Sequence, residues 1–249
     1  MRLLNASTLT LHEFLGSEIP KYAILSHRWE NTEVTFQDLK DGTGPGMASW
    51  SKVTGCCAQA LLDGWEYLWI DSCCIDKSGS AELSETINSM FAWYQRAEVC
   101  YAYLSDVSPA TEDSRAKYFA IQNSKWFTRG WTLQELLAPY YVDFFDQSWT
   151  WIGSKSCLEP LISEATKITD LWDHQSASVA QKMSWASSRE TTRIEDRAHS
   201  LLGLFGVHMP PLYGERVNAF IRLQLEILSK TDDDSILAWN GPVPYGHSG

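Results

Sequence analysis

The sequence lacks the spacings that mark a metal site or a disulfide framework. Its six cysteines stand at Cys56, Cys57, Cys73, Cys74, Cys100 and Cys157, two of them in vicinal pairs. Neighbouring cysteines rarely bridge each other, and neither Cys-x-x-Cys nor His-x-x-x-His occurs, so buried free thiols are expected and no metal. Basic charge is also short. Twenty Lys and Arg against 31 Asp and Glu give a formal charge of -11, which excludes a non-specific nucleic-acid or anionic-membrane binder because phosphate neutralisation needs clustered cations. No apolar run approaches the length of a bilayer span, and the N-terminal stretch lacks the charged, apolar and small-residue order of a signal peptide. A cytoplasmic, soluble protein is expected. Gly42, Gly44 and Gly46 follow no strand and precede no Gly-Lys-Ser/Thr ending, so they form a surface connection and not a phosphate loop. No Gly-x-Ser-x-Gly elbow surrounds Ser26, and no internal repeat is present.

What the sequence does have is a core. With 44% hydrophobic residues and 12 Trp in 249 residues, the chain can bury a substantial interior and should be ordered over most of its length. Tyr22 to Leu25, Tyr67 to Ile70, Val99 to Leu104 and Tyr141 to Phe145 are short apolar runs that read as strands. Helical periodicity falls between them, from Trp50 to Leu61 and from Ser80 to Ala97, with a less defined segment near Arg115 to Ile121. Alternating strand and helix implies an α/β fold of the flavodoxin type, a parallel sheet with helices on both faces. Beyond Trp149 strands nearly vanish, and helices are expected over Leu158 to Ile168, Val179 to Ala186, Ile194 to Phe205 and Glu215 to Leu228. The expected organisation is an α/β domain over 1–150, a helical companion over 151–240, and a Gly- and Pro-rich linker or truncated tail over 241–249.

Polar residues follow three of the strands: Ser26, His27, Arg28 and Trp29 after the first, Asp71 to Cys74 after the second, Ser105 after the third. The carboxyl rim of an open α/β sheet is where such folds bind ligands. A Ser26-His27-Asp71 triad fails on context, because adjacent residues on a strand point to opposite faces. Cys74 with His27 as its base is the alternative nucleophile, set against a buried structural thiol. The chemically densest stretch is Ser124 to Pro139, which places Lys125, Trp126, Arg129, Trp131 and Glu135 in one turn and helix. There Trp131 and Glu135 share a helix face, while Leu133, Leu136 and Leu137 point to the core. A carboxylate against an indole is partly desolvated and tunable; a solvated Glu135 paired with Arg129 is the plainer reading. Arg193, Glu195, Asp196 and Arg197 read as an ion-pair network at a helix start.

Three ordered blocks resemble the signatures of the fungal heterokaryon-incompatibility (HET) domain: Tyr22-Ala23-Ile24-Leu25-Ser26-His27-Arg28-Trp29, Trp69 through Asp76, and Arg129-Gly130-Trp131-Thr132-Leu133-Gln134-Glu135. The segments Thr191 to Ala198 and Met209 to Glu215 are similar to the region that follows this domain. The resemblance implies a cell-death effector of fungal incompatibility that depends on self-association, with nucleotide-binding oligomerisation and WD-repeat modules downstream in longer proteins. HET domains look like distant relatives of TIR domains, and Trp131 to Leu136 is similar to the plant TIR run Trp-Cys-Leu-x-Glu-Leu, whose glutamate is catalytic. This implies an NAD glycohydrolase with Glu135 as the catalytic residue, no bound cofactor, and NAD as substrate. Ser26, His27, Arg28, Trp29, Asp71, Cys74, Lys125, Trp126, Arg129 and Trp131 would then form the substrate site, the tryptophans stacking on bases and the cations meeting the pyrophosphate. Thr132 departs from the TIR cysteine, and His27, Glu30 and Lys77 depart from the Tyr, Gly and Gln frequent in the HET family. A non-enzymatic adaptor working through protein contacts at the same rim is the competing class.

Overall fold

The computed structural model describes residues 1–109 and 114–238; the expected tail over 241–249 lies outside the described residues. One sheet of seven strands organises the described residues. Its strands are β1 (Arg2–Asn5), β2 (Leu11–Glu13), β3 (Ala23–His27), β4 (Tyr67–Trp69), β5 (Val99–Leu104), β6 (Val142–Asp146) and β7 (Trp151–Ser154), in the spatial order β2-β1-β4-β3-β5-β6-β7. The four strands expected from the apolar runs form the parallel centre. They carry near-continuous burial, Leu68, Ile24, Leu25, Tyr101 and Phe144 among them, as strands covered on both sides must.

The margins of the sheet are antiparallel, which the strand and helix alternation did not foretell. The β1 to β2 connection spans only Ala6 to Thr10 and the β6 to β7 connection only Gln147 to Thr150. A parallel return needs a crossover of about a dozen residues, so links this short can only reverse the chain. Strand β7 also carries the sheet past residue 150, into the stretch expected to be helical.

Helices α1 (Phe36–Asp41), α2 (Trp50–Leu62), α3 (Asp71–Cys74), α4 (Ser80–Arg96), α5 (Ser114–Gln122) and α6 (Thr132–Leu137) connect the strands. Helix α1, absent from the sequence reading, is set by a capping box in which Thr35 and Asp38 satisfy each other's backbone N–H, and it stops at Gly42 with φ +71°. Helix α2 lies on one face of the sheet, where Tyr101 donates to Asp63 and Gly55 abuts Trp149. Helices α4 and α6 lie on the other, where Trp69 meets Trp93 and Tyr94 edge to face and Ser26 meets Glu135. Because the chain leaves β3 for β4 on one side and returns to β5 on the other, the crevice at the carboxyl ends of β3 and β5 is a topological switch point.

Among the described residues five helices follow: α7 (Glu159–Thr166), α8 (Val179–Ser187), α9 (Asp196–His199), α10 (Asn218–Lys230) and α11 (Ser235–Ala238). The helix expected over Ile194 to Phe205 is only the short α9, followed by turns to Gly206, whose φ of +63° lies in the left-handed region that favours glycine. These turns pack hard against the sheet layer. A Cβ on Gly203 would fall 2.0 Å from Phe91 Cβ on α4, a distance only a shift of helix or turn can relieve. Gly203→Ala is therefore expected to lower stability by about 1–3 kcal/mol, read as an earlier urea midpoint.

Candidate active site

The pleat of β3 divides the rim into two clusters. Ser26 and His27 are both buried and point to opposite faces. On the α6 side, Ser26 Oγ donates to Glu135 Oε2 at 2.5 Å and accepts from Trp126 Nε1 at 2.9 Å. An indole N–H can only donate, so Trp126 takes a lone pair of Ser26 and leaves the hydroxyl proton to Glu135. Trp126 itself is held by the 3₁₀ turn Lys125–Thr128, whose N-cap Ser124 accepts the Trp126 backbone N–H. Its ring packs edge to face on Phe127 and Phe144.

Glu135 is 7% exposed. Burial pushes its pKa up to about 8, the Asp71 charge adds to that rise, and the Ser26 hydrogen bond with the charges of Arg129 and Arg189 opposes it. Near neutral pH the carboxyl is therefore largely a neutral acid. The ion pair between Glu135 and Arg129 offered by the sequence does not form; Arg129 Nη1 turns instead to Thr192 Oγ1 at 2.8 Å.

Arg189 belongs to this cluster and carried no signal in the sequence, where Ser187-Ser188-Arg189-Glu190 reads as a polar loop. Its side chain is 6% exposed. Nη1 donates to Arg129 O and Thr132 Oγ1, Nε to Trp185 O, and Nη2 is buried without a protein partner. Burial lowers its pKa to about 9 and the Glu135 charge counters that, so it remains a cation at neutral pH. The surrounding chain is stitched to α6: Glu190 N donates to Thr128 O and Gly130 N to Glu190 O. A long-range contact of this kind leaves no local pattern for sequence reading to find.

The second cluster opens on the other side. His27 Nε2 lies 2.8 Å from Asp71 Oδ1, and Trp29 Nε1 donates to Asp71 Oδ2 at 2.8 Å. Burial alone would raise the Asp71 pKa, but the bond and charge of His27, with Lys77 and Trp29, hold it well below the usual carboxylate range. Glu33 completes the group, paired with Lys52 of α2 at 2.6 Å and 3.9 Å from His27 Nδ1. Trp29 is 36% exposed, yet Lys77 Nζ sits 3.4 Å from its ring centroid, so that ring face is covered by a cation.

The remaining candidates scatter. Trp126 is 1% exposed and offers no face to a base in this form. Cys74 is buried in the core, its sulfur accepting from Ile70 N at 3.3 Å, and it does not reach the rim as a nucleophile beside His27. Arg28 is half-buried and Lys125 exposed on the outer turn, while Trp131 is half-buried at the start of α6. Of the other thiols, Cys56 and Cys57 have pKa values pushed up by burial, Cys57 to about 12, which keeps them inert. Among the described residues no cluster of His, Cys, Asp and Glu is placed to hold a metal ion.

The expected ion-pair network at Arg193 to Arg197 is instead a set of loop clamps. Glu195 accepts the backbone N–H of Gly214 and Arg216, Asp196 accepts from the Tyr213 hydroxyl, and Arg193 lies over the Tyr213 ring.

Comparison with known proteins joins this geometry to a family. The profile of "Heterokaryon incompatibility protein (HET)" matches residues 22–120, which run from β3 into α5 and hold Ser26, His27 and Asp71. The chain is also similar to "Vegetative incompatibility protein HET-E-1" of Podospora anserina, 45% identical over 235 residues that cover 90% of this chain and 17% of that protein. It thus spans less than a fifth of that relative's length. No solved structure matches it.

The raised pKa of Glu135 makes stability depend on pH with a definite sign. A carboxyl whose folded pKa of about 8 lies above its unfolded value of 4.5 contributes most below pH 4.5 and loses that contribution as pH rises through about 8. Relative to Glu135→Gln, the wild type is expected to lose on the order of 3–5 kcal/mol across this window. Chemical denaturation of both proteins at a series of pH values measures it. Parallel stability curves would show that Glu135 is ionised in the folded state.

Proposed function

Because this chain is a fungal heterokaryon-incompatibility (HET) domain protein, we propose that it is the effector part of a vegetative-incompatibility protein and acts, on self-association, as an NAD glycohydrolase through Glu135. The observation that carries this reading is the Glu135 carboxyl at the β3/β5 switch point, aimed by Ser26 and Trp126. NAD and water yield nicotinamide, ADP-ribose and a proton. The electron pair of the breaking bond returns to the pyridine nitrogen, so nicotinamide leaves neutral and needs no acid. Positive charge builds on the ribose, where an ionised Glu135 stabilises it or orients the ribose hydroxyls.

In the closed form Glu135 is buried and largely protonated, which is a resting state for such chemistry. Admitting substrate requires displacement of the Trp126 turn or of the 189–192 segment. Self-association supplies that opening if the assembled state favours the open form, a shift in population with no new catalytic group. The same assembly in the cytoplasm would trigger cell death when incompatible cells fuse. In a longer protein it would be driven by downstream nucleotide-binding oligomerisation and WD-repeat modules. Among the described residues no helix is long and apolar enough to cross a membrane.

One observation favours the adaptor reading: the burial of Glu135 and Trp126 leaves the half-exposed Trp29 and Arg28 as the accessible part of the rim, and such residues anchor protein contacts. Nicotinamide release by the chain fused to an oligomerising partner separates the two. Assembled wild type is expected to turn NAD over, and Glu135→Gln to lose about 100-fold or more. Turnover that survives Glu135→Gln would remove Glu135 from catalysis. If assembled wild type releases no nicotinamide, the enzyme reading falls and the adaptor takes its place.

A further inference from the structure

A second concave site lies between Gly130, just before α6, and helices α8, α9 and α10. Its polar lining comes from Ser187, Arg189, Thr191, Arg197 and Ser200. Two of these are arginines from separate segments. Arg189 brings a buried Nη2 that has no protein partner, although its other nitrogens are all engaged. Arg197, half-buried on α9, makes no side-chain hydrogen bond or ion pair with any of the described residues. Among the described residues no carboxylate lines the cleft.

Among the described residues the other two buried Lys and Arg side chains are both anchored: Lys52 on Glu33, and Lys155 on the Pro139 carbonyl. A guanidinium N–H buried without an acceptor is unfavourable, and a second guanidinium with no hydrogen-bond or ion-pair partner among the described residues lines the same cleft. An oxyanion between the two supplies acceptors to both. From this geometry we infer that the cleft is an anion site for a phosphate-type oxyanion, bound between Arg189 and Arg197 with Ser200 at its edge. Phosphate fits better than a carboxylate because oxygens spread over a tetrahedron can meet both the single free Nη2 of Arg189 and the guanidinium fork of Arg197, which come from separate segments.

The site communicates with Glu135. Arg189 donates to Arg129 O and Thr132 Oγ1 at the entry to α6, and its charge is one of the two that favour the ionised carboxyl. An anion seated on Arg189 offsets that charge and drives Glu135 toward its neutral form. The inference does not depend on the NAD reading, though within it bound phosphate would hold the effector at rest.

Inorganic phosphate titrated into the whole chain at constant ionic strength, with chloride as the control, tests this by calorimetry and thermal unfolding. Saturable binding with a raised Tm is expected. Arg197→Gln should bind about tenfold or more weakly while keeping its fold, since that side chain makes no hydrogen bond or ion pair to lose among the described residues. Absence of saturable binding in wild type, or equal binding by Arg197→Gln, overturns the proposal. Titrations with AMP and NAD distinguish the source: tighter, Arg197-dependent binding of either assigns the site to a nucleotide phosphate, and its absence assigns free phosphate. Coupling is read by comparing wild type with Glu135→Gln in saturating phosphate, where the pH window of Glu135 is expected to move upward; an unmoved window removes the link. No arm of this test requires turnover, so its failure is distinguishable from failure of the glycohydrolase reading.

Discussion

A carboxyl group taken out of water and set against the central strand of a sheet imposes terms on everything near it. Ionised and unpaired, Glu135 would be strongly destabilising in that position. The structure answers with a proton, a hydroxyl and distant cations. Ser26 supplies the hydroxyl, and its register opposite Ala102 on β5 fixes where α6 must lie. Trp126 orients Ser26 and is itself wedged by Phe127 and Phe144. Arg189 crosses from the C-terminal helices to the entry of α6, so the position of Glu135 depends on a segment more than fifty residues later in the chain. The C-terminal helices are therefore part of the candidate site and not an appendage to it.

The two-residue period of β3 is the second constraint. Ser26 and His27 are neighbours in sequence, yet their partners share no atoms: Glu135 and Trp126 for one, Asp71 and Glu33 for the other. Communication between the clusters is electrostatic, through the Asp71 charge that helps raise the Glu135 pKa. One cluster is dry and holds a neutral acid, while the other reaches the surface with its carboxylate ionised. Carboxyls held in opposite protonation states by burial and by hydrogen bonding are a common basis for division of chemical roles.

Much of this was legible before any coordinates. The four apolar runs became the parallel centre of the sheet, and the polar residues after them met at one rim, because burial on both faces leaves so plain a hydrophobic signature. Glu135 stood out because a carboxylate among Trp126, Trp131 and the leucines of α6 conflicts with its surroundings. The marginal strands did not stand out: β1 and β2 are four and three residues long, and short edge strands lack the length for a pattern. Helix α1 was hidden because its capping box is local while its apolar content is small.

The sequence by itself determined the layer architecture, the rim and the suspicion on Glu135, since each rests on periodicity or on composition within a few neighbouring residues. Only the tertiary structure decided that Trp126 is core and not a stacking platform, that Cys74 is buried in the core, and that Arg129 bonds to Thr192 and acts on Glu135 only through its charge, together with Arg189. Those outcomes depend on which side chains the long-range contacts exclude from water. Desolvation is a property of the packed whole, and a linear pattern carries no record of what will be stacked above a given residue.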